Sequence, residues 1–444
     1  MRTVTFFRAW ASSAVARFMC FHRENPAEFY FAGMFWSFWT TLALFSAGYG
    51  WREVMPPVCL VFLLLYYRHA WRQSVLARLK IFPLFYCFWV MLLIGVIFSG
   101  NPPDSLLHAG TGLNKGFILP FIAMECARGE KDLRRLVWAC VFACFWQGMD
   151  GLWQAHNGQD FIMGYLPKAG RLTGSLGDYT VSNYIALALS PSFSLWFILR
   201  EKFGRTASAL LWLAVLWPAF FLLLGGAARS GMLAVAAVPG LWIILKNGFA
   251  RWRDMVRPLA ACSALLALFF ILSPRRKILL PGSLIDDGRW SLWELAWRVF
   301  CEHPWFGAGA GQFSPAFRAL GLVPSHDPVT ISHPHNLYLD ILYAHGIVGF
   351  VLGMTFLLGF LYWGYRHISA NLLAELKKGG GMYWRFAAAF WAAYACWFVN
   401  GVFGHDFYRT WWLGMAMSYL GIMIGAVVNG TGADTRPADR PYSN

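Results

Sequence analysis

Three arginines lie in settings where a cation is unusual, and the chemistry that they favour is anion binding. Arg229 lies in GGAARSG, between two apolar blocks joined by almost no loop. It starts a predicted helix, where the macrodipole disfavours a cation and free backbone N–H groups bind phosphates. Arg289 also starts a predicted helix, and Arg171 precedes a third apolar block. The pattern predicts a phosphate-type site, although each arginine could instead pair with a nearby carboxylate or reach lipid headgroups.

The segment SHPHNLYL places two histidines where a loop enters an apolar block. An imidazole with a pKa near neutrality can take a proton from a hydroxyl group, so His335 is a candidate general base. The structural alternative is a histidine whose hydrogen bonds are satisfied by loop carbonyls. A metal site built from His326, Asp327, His333 and His335 is a further alternative. The spacing across a proline does not match a helical H-x-x-x-H site, so no metal is predicted.

The elements that position these residues are predicted to be membrane helices. Hydrophobic residues make up 58% of the 444 positions and charged residues only 13%, whereas soluble domains carry about 25% charged residues. A soluble core could not hide this much apolar surface, and each apolar block approaches the ~20 residues that span a bilayer. The sequence therefore predicts an all-α, polytopic membrane protein of about twelve transmembrane helices.

The predicted organisation has five parts. A basic interfacial segment (1–28) precedes nine spans (29–273), and a large loop (274–335) separates these from three more (336–430) and a disordered polar tail (431–444). The predicted spans are 29–48, 53–67, 81–98, 112–126, 133–152, 181–199, 207–224, 230–246, 257–273, 336–364, 384–400 and 410–428.

The distribution of cations predicts the orientation of the chain. On one side of the predicted spans lie 25 of the 37 Lys and Arg residues, and the other side holds 12. Because cations accumulate in cytoplasmic loops, both termini are predicted cytoplasmic. Arg171, Arg229, Arg289 and His335 all fall on the opposite side, which we call the outer side. The net charge of +15 is thus a membrane signal, and no nucleic-acid partner is predicted.

Two features of the large outer loop have simple structural interpretations. A helix is predicted over 289–302, where Trp290, Trp293 and Trp297 recur at helical spacing and favour a membrane interface or packing on other helices. The glycines of FGAGAG at 306–311 have no strand before them, so a tight backbone turn is favoured over a nucleotide-binding loop.

Arginines for an anionic group, one candidate base and the absence of paired catalytic carboxylates together favour a transferase with a lipid-linked phosphate or pyrophosphate donor. Its leaving group needs charge stabilisation, and the acceptor hydroxyl needs a base. A transporter of lipid-linked glycans is an alternative of a different class. It should place its charged groups near mid-membrane between broken helices, whereas these residues cluster at one surface. A scaffold, the third alternative, would tolerate loss of these arginines and of His335.

The segments in this region resemble the O-antigen ligase and polymerase superfamily of bacterial envelope glycosyltransferases. The resemblance is carried, over roughly 170–350, by Arg171 with its T-G, by ARSG at 228–231, by Gly288-Arg289, by HPWFGAG at 303–309, and by HNLYL followed by HGIVG at 335–349. Each motif alone is loose. The order of the motifs and their location on one predicted side of the membrane make the set specific.

The resemblance implies an inverting transfer without metal or cofactor, at the periplasmic face of the inner membrane. Arg171, Arg229 and Arg289 would bind the pyrophosphate of an undecaprenyl-linked glycan donor, and His335 would deprotonate the acceptor. The family often has an acidic residue where His345 stands, so His345 receives no role, and neither does His333. One dominant outer loop is typical of the ligase, whose acceptor is the lipid A–core sugar. The O-antigen polymerase is the alternative within the superfamily, and the oligomeric state is left open.

Overall fold

Helices account for nearly all regular structure in the described part of this chain. The computed structural model describes residues 23–178, 180–247, 256–272, 289–322 and 332–432. The helices used below, numbered in chain order, are α1 (Pro26–Ala43), α2 (Tyr49–Ala70), α3 (Val75–Arg78), α4 (Leu84–Ile97), α5 (Pro102–Gly116), α6 (Ile118–Glu125), α7 (Glu130–Asn157), α8 (Val181–Ser192), α9 (Leu195–Arg200), α10 (Arg205–Gly226), α11 (Arg229–Asn247), α12 (Val256–Leu272), α13 (Arg289–Glu302), α14 (Phe313–Ala319), α15 (Leu337–Lys378), α16 (Tyr383–Gly401) and α17 (Thr410–Gly432).

The all-α, multi-pass character of the chain is confirmed. Within the described ranges, seven helices are long and apolar enough to cross a membrane. They are Gly50–Arg78, Glu130–Asn157, Val181–Arg200, Arg205–Gly226, Arg229–Asn247, Leu337–Lys378 and Thr410–Thr431. Leu84–Ile97 and Val256–Phe269 are shorter apolar helices. The predicted number of twelve is therefore not reproduced, and only the multi-pass architecture follows.

The fourth predicted span, 112–126, is wrong as a single helix. The chain forms α5 and α6 there, with a turn at Phe117 between them, although the backbone of Phe117 keeps right-handed helical dihedral angles (φ −85°, ψ −38°). Gly116 ends α5, and glycine weakens a helix interior because its backbone is the most mobile. Pro120 lies in the first turn of α6, where its missing N–H group costs little. Apolar composition alone did not reveal this break.

The last helix forms the centre of the helical assembly. For Thr410–Thr431, 94% of the most apolar window is buried, against 28% for Gly50–Arg78. α17 packs on α6 and α16, while α15 packs on α4 and α10 packs on α7. α2 is therefore peripheral, and the residues that precede α17 are held at the middle of the bundle end.

The glycine segment after α13 docks on a kink in α15. α15 has 42 residues and a non-helical backbone at Gly346 (φ 63°). A Cβ atom at Gly346 would clash with the backbone of Trp305, and one at Gly307 would clash with that of Ala344. The Ala308 N–H donates to the Tyr343 carbonyl at 2.8 Å. The glycines thus allow two backbones to meet, in agreement with the predicted turn.

The predicted helix over 289–302 is observed as α13. Its buried face is aliphatic, with Leu292, Leu295 and Val299 packed in a small core that includes residues of α14 and α15. Trp290 and Trp297 are instead more than half exposed. The aromatic stripe is therefore divided between an exposed surface and packing contacts. The rest of the predicted loop 274–335 lies partly outside the described residues, so its boundaries remain a prediction, as do those of segment 1–28 and tail 431–444.

Candidate functional site

His333 and His335 lie together where the chain enters α15. Their ring centroids are 4.1 Å apart. The His335 backbone N–H donates to His333 Nδ1 at 3.2 Å, which leaves the His333 ring proton on Nε2. Nε2 lies 3.8 Å from Asp406 Oδ1. Asp406 belongs to residues 402–409, which connect α16 to α17, so the His333 ring faces that connection.

His335 has a left-handed backbone (φ 54°), which is uncommon for residues other than glycine, although asparagine, aspartate and histidine adopt it more often than the rest. The next residue holds this geometry, because Asn336 caps α15 by accepting hydrogen bonds from Tyr338 N at 2.9 Å and Leu339 N at 3.1 Å. A strained residue of this kind persists only where its surroundings fix it. The strain points to a requirement for the position of the His335 imidazole.

The pKa of His335 is not near neutrality, contrary to the prediction from sequence. Burial, reinforced by the neighbouring His333 imidazole and by the Arg289 cation, lowers the pKa of His335 from 6.5 to about 3, against the opposing effects of a Gly404 backbone hydrogen bond and the Asp406 carboxylate. Burial and the Arg409 cation likewise lower the pKa of His333 to about 3. Both imidazoles are therefore neutral at physiological pH.

Arg289 lies within electrostatic range of this histidine pair. It starts α13, and its charge contributes to the lowered pKa values of His333, His335 and His405. Trp293, one turn later, stacks on Phe403 with 5.6 Å between ring centroids. The α13 helix thus brings one of the three predicted arginines to the 402–409 connection.

Arg229 is linked to the same place through a row of polar side chains. The residue that follows it, Ser230, donates to Asn183 Oδ1 at 2.8 Å. Asn183 Nδ2 donates in turn to His405 Nε2 at 3.2 Å. Asn400 also donates to Asn183 Oδ1, at 3.1 Å. The start of α11 is therefore tied to the neighbour of Asp406.

Arg171 lies next to the turn that leads to Arg229. The Leu172 N–H donates to the Gly225 carbonyl at 3.1 Å. Arg171 itself pairs with Lys168 through two backbone hydrogen bonds of 2.9 and 3.0 Å. The segments of all three predicted arginines and His335 are thus connected through backbone or side-chain contacts, although they come from four separate parts of the sequence.

Left-handed backbone geometry marks the same segments. Among the described residues other than glycine, a positive φ occurs at Ala169 (49°), Ala227 (49°) and His335 (54°). Ala169 and Ala227 each stand two residues before a predicted arginine. Such conformations cost of order 1–3 kcal/mol and concentrate at functional sites. Backbone geometry therefore marks the segments of Arg171, Arg229 and His335, and this geometry could not be read from the sequence.

A polar face of α7 holds the loop that carries Arg171. Gln154 Oε1 accepts from the Thr173 and Gly174 N–H groups at 2.8 and 3.0 Å. Asp150 accepts from the Phe161 and Ser175 N–H groups at 2.8 and 2.7 Å. Gln154 and Asp150 are fully or nearly fully buried, so these carbonyl and carboxylate oxygens fix the loop backbone in place of water.

Replacing Gln154 by leucine should loosen this loop and lower the stability of the protein. The variant leaves two buried N–H donors without an acceptor, and each unsatisfied donor costs about 1–3 kcal/mol of stability. Thermal unfolding of the purified protein in detergent measures the stability. Asn157→Ala, an exposed change on the same helix, is the control. Wild-type unfolding of Gln154→Leu would show that the loop does not depend on this side chain.

The polar side chains around His333 and His335 form a group that we call the histidine cluster. Four of its residues were not predicted as site residues: Asn183, His405, Asp406 and Arg409. His405, Asp406 and Arg409 share one short connection between apolar spans, and that concentration of polar residues is the signal that could have identified them. Asn183 lies inside an apolar block, where a buried amide needs partners. His326 and Asp327, which belong to the metal alternative, lie outside the described residues.

Residues 213–354 match the family model Wzy_C, described as O-antigen ligase. The match includes Arg229, Arg289 and His335, and it ends within α15. Arg171 and the 402–409 connection lie outside it. A search of curated proteins finds no significant match. The match supports an O-antigen ligase family assignment and, more broadly, an enzyme of the ligase and polymerase superfamily.

Proposed function

We propose that this chain, whose residues 213–354 match the O-antigen ligase family, is an O-antigen ligase. It transfers O-antigen polysaccharide from undecaprenyl pyrophosphate to a sugar hydroxyl of the lipid A–core, at the periplasmic face of the inner membrane. The observation that carries this proposal is the connection of the Arg171, Arg229 and Arg289 segments to the strained His335. The contacts between Leu172 and Gly225, and from Ser230 through Asn183 to His405, support it.

In the proposed reaction the acceptor hydroxyl oxygen attacks the anomeric carbon of the donor sugar. The bond from that carbon to the pyrophosphate oxygen breaks, and attack from the opposite face inverts the configuration. The hydroxyl proton passes to the neutral imidazole of His335. The three arginines offset the negative charge on the leaving pyrophosphate, so that no acid has to protonate it.

The low pKa of His335 suits a base that must start neutral. The free protein holds the imidazole unprotonated, and the arrival of a pyrophosphate anion favours the protonated ring because opposite charges attract. The base therefore gains strength when the donor is bound. We infer that His335 acts on an acceptor hydroxyl only after the donor occupies the arginines.

The pH dependence of kcat/KM should reflect this low pKa. kcat/KM reports the ionisation of the free enzyme, so it should stay within about twofold between about pH 5 and pH 8. The active form is the neutral imidazole, and with a pKa of about 3 it is lost only at much lower pH. Initial transfer rates at limiting donor measure this profile. An acid limb centred near 6.5 would contradict the buried environment of His335.

The stability of the protein should show the corresponding trend. In the unfolded chain a histidine takes up a proton as the pH falls through 6.5, whereas buried His333 and His335 do not. The unfolded state then binds more protons, so the free energy of unfolding should fall below about pH 6.5. The fall in stability limits the pH range of the rate assay. Measuring it alongside the rates separates loss of the fold from loss of the base.

A complementation experiment tests the proposed function. A strain lacking the corresponding gene is complemented with this chain, and its lipopolysaccharide is separated on a gel. Ligase activity restores the full ladder, and its absence leaves an unsubstituted core with lipid-linked O-antigen accumulated. A core that carries a single repeat would instead indicate the polymerase. Transfer in purified membranes should be unaffected by a chelator, and its loss would reopen the metal alternative.

A further inference from the structure

A second cationic site lies beside the histidine cluster. A cavity of about 390 Å³ is lined by Arg52, Lys168 and Arg409, with Asp178 as the one carboxylate among its described lining residues. Its volume falls in the range of about 300–1,000 Å³ that is typical of small-molecule sites. Arg171, Arg229 and Arg289 are not among its described lining residues, although Lys168 pairs with Arg171 through two backbone hydrogen bonds, so the cavity neighbours the proposed pyrophosphate site without including its arginines.

The three cations of the cavity come from separate parts of the chain. Arg52, in the first turn of α2, is buried, and its Nε donates to the Gly48 carbonyl at 3.3 Å. Arg409 lies 3.7 Å from Asp178, and both side chains are about one-third exposed. Because one carboxylate faces three cations, the lining has an excess of positive charge. Such a surface favours an anionic ligand.

The remaining lining is suited to a sugar. The hydroxyl of Thr180 is buried and makes no hydrogen bond within the described chain. Tyr165 and Trp411 add aromatic surface, and Thr410 adds a second hydroxyl. A buried hydroxyl without a partner is costly, and an oxygen of a bound ligand would satisfy it. Aromatic surface and hydroxyls around a cationic patch match a sugar that bears a phosphate.

The cavity adjoins His405, which belongs to the same connection as Asp406. The Trp411 ring lies 5.1 Å from that of His405 in an edge-on contact. The positive charge of Arg409 contributes to the lowered pKa values of His333 and His405. An acceptor sugar held in the cavity would therefore lie on the same side of the 402–409 connection as the histidine cluster. The donor site and this cavity would supply the two reactants from neighbouring positions.

We propose that this cavity binds a phosphorylated sugar of the acceptor glycan. The identification of that sugar with the acceptor rests on the proposed ligase function. The chemistry that selects it is a phosphate on Lys168, Arg52 and Arg409, with the sugar ring against the aromatic wall. The cavity is thus a specificity site, which favours acceptors with phosphate over neutral glycans.

Direct binding tests the site without requiring transfer. The purified full-length chain in detergent is titrated with glucose 6-phosphate, with glucose and inorganic pyrophosphate as comparisons. Lys168→Gln should weaken the binding of glucose 6-phosphate about tenfold, the effect of one lost charge-assisted contact, and should leave pyrophosphate binding unchanged. Lys202→Gln, an exposed change outside the cavity, is the matched control.

Three results would overturn the proposal. One is the absence of glucose 6-phosphate binding by the wild-type chain, and another is wild-type binding by Lys168→Gln. The third is equal weakening of pyrophosphate, which would assign the cavity to the donor. Since the titration needs no transfer, it remains informative if the ligase proposal fails.

A kinetic measurement tests the identification with the acceptor. In Lys168→Gln, the KM for acceptor should rise about tenfold while kcat and the KM for donor stay near wild type. Treatment of the acceptor with phosphatase should remove the difference between the variant and the wild type. A change confined to kcat, or to the KM for donor, would contradict the assignment.

Discussion

Replacing His335 by asparagine should reduce the rate of glycan transfer by about 10²- to 10⁴-fold, the contribution typical of a positioned general base. Asparagine tolerates the left-handed backbone found at this position (φ 54°) better than other side chains do. It therefore removes the base with little additional backbone strain. An alanine variant would combine loss of the base with a backbone penalty, and the two effects would not be separable.

The measurement is the initial rate of transfer by purified protein at saturating donor and acceptor. His156→Asn changes an exposed histidine on α7 and should retain wild-type activity. Thermal unfolding of both variants shows whether the fold is retained. If His335→Asn folds normally and transfers glycan at the wild-type rate, His335 is not the base, and the role of the 402–409 connection needs reassessment.

Changing Arg229 to lysine should lower kcat/KM by about 10- to 100-fold although the charge is kept. Arginine presents a planar fork of N–H donors that can contact two phosphate oxygens at once, whereas lysine presents a single ammonium group. Loss of one charge-assisted hydrogen bond, at about 1.5–3 kcal/mol, accounts for an effect of this size. Arg289→Lys should behave similarly, because Arg289 starts its helix in the same way.

The control for these variants is Arg298→Lys. Arg298 lies on α13 with Arg289, is more than half exposed at its side chain, and pairs with Glu294 one turn before it. Its replacement should leave kcat/KM near wild type. Full activity of Arg229→Lys would indicate that charge alone is needed. Full activity of Arg229→Gln as well would remove Arg229 from the proposed donor site.

The two largest predictions bear on different steps. His335→Asn removes the proton acceptor and should leave binding of inorganic pyrophosphate intact. Arg229→Lys weakens the contact with the leaving group and should weaken pyrophosphate binding in parallel with kcat/KM. Measuring both properties in both variants therefore separates the base from the anion site.

Local patterns determined most of the helices of this protein. Apolar runs near the length that crosses a bilayer predicted helices at positions such as 207–224 and 410–428, and α10 and α17 occupy those positions. The heptapeptide around Arg229 predicted two helices with almost no loop, and α10 ends at Gly226 while α11 begins at Arg229. These features follow from composition and short spacing. The break between α5 and α6 was missed because apolar residues continue beyond it over 117–124, although Lys115 and Gly116 precede it.

The sequence by itself also predicted that Arg171, Arg229, Arg289 and His335 belong to one surface, since cation bias predicts the side of each loop. It could not determine what surrounds them. Two hydrogen bonds of Asn183 reach residues that lie 217 and 222 positions away in the sequence. Lys168, Arg52 and Arg409 reach one cavity from three distant segments. The low pKa of His335 arises from burial against the 402–409 connection. Such contacts depend on how the helices pack, and helix packing is decided by tertiary structure because one local pattern permits many arrangements of the same helices.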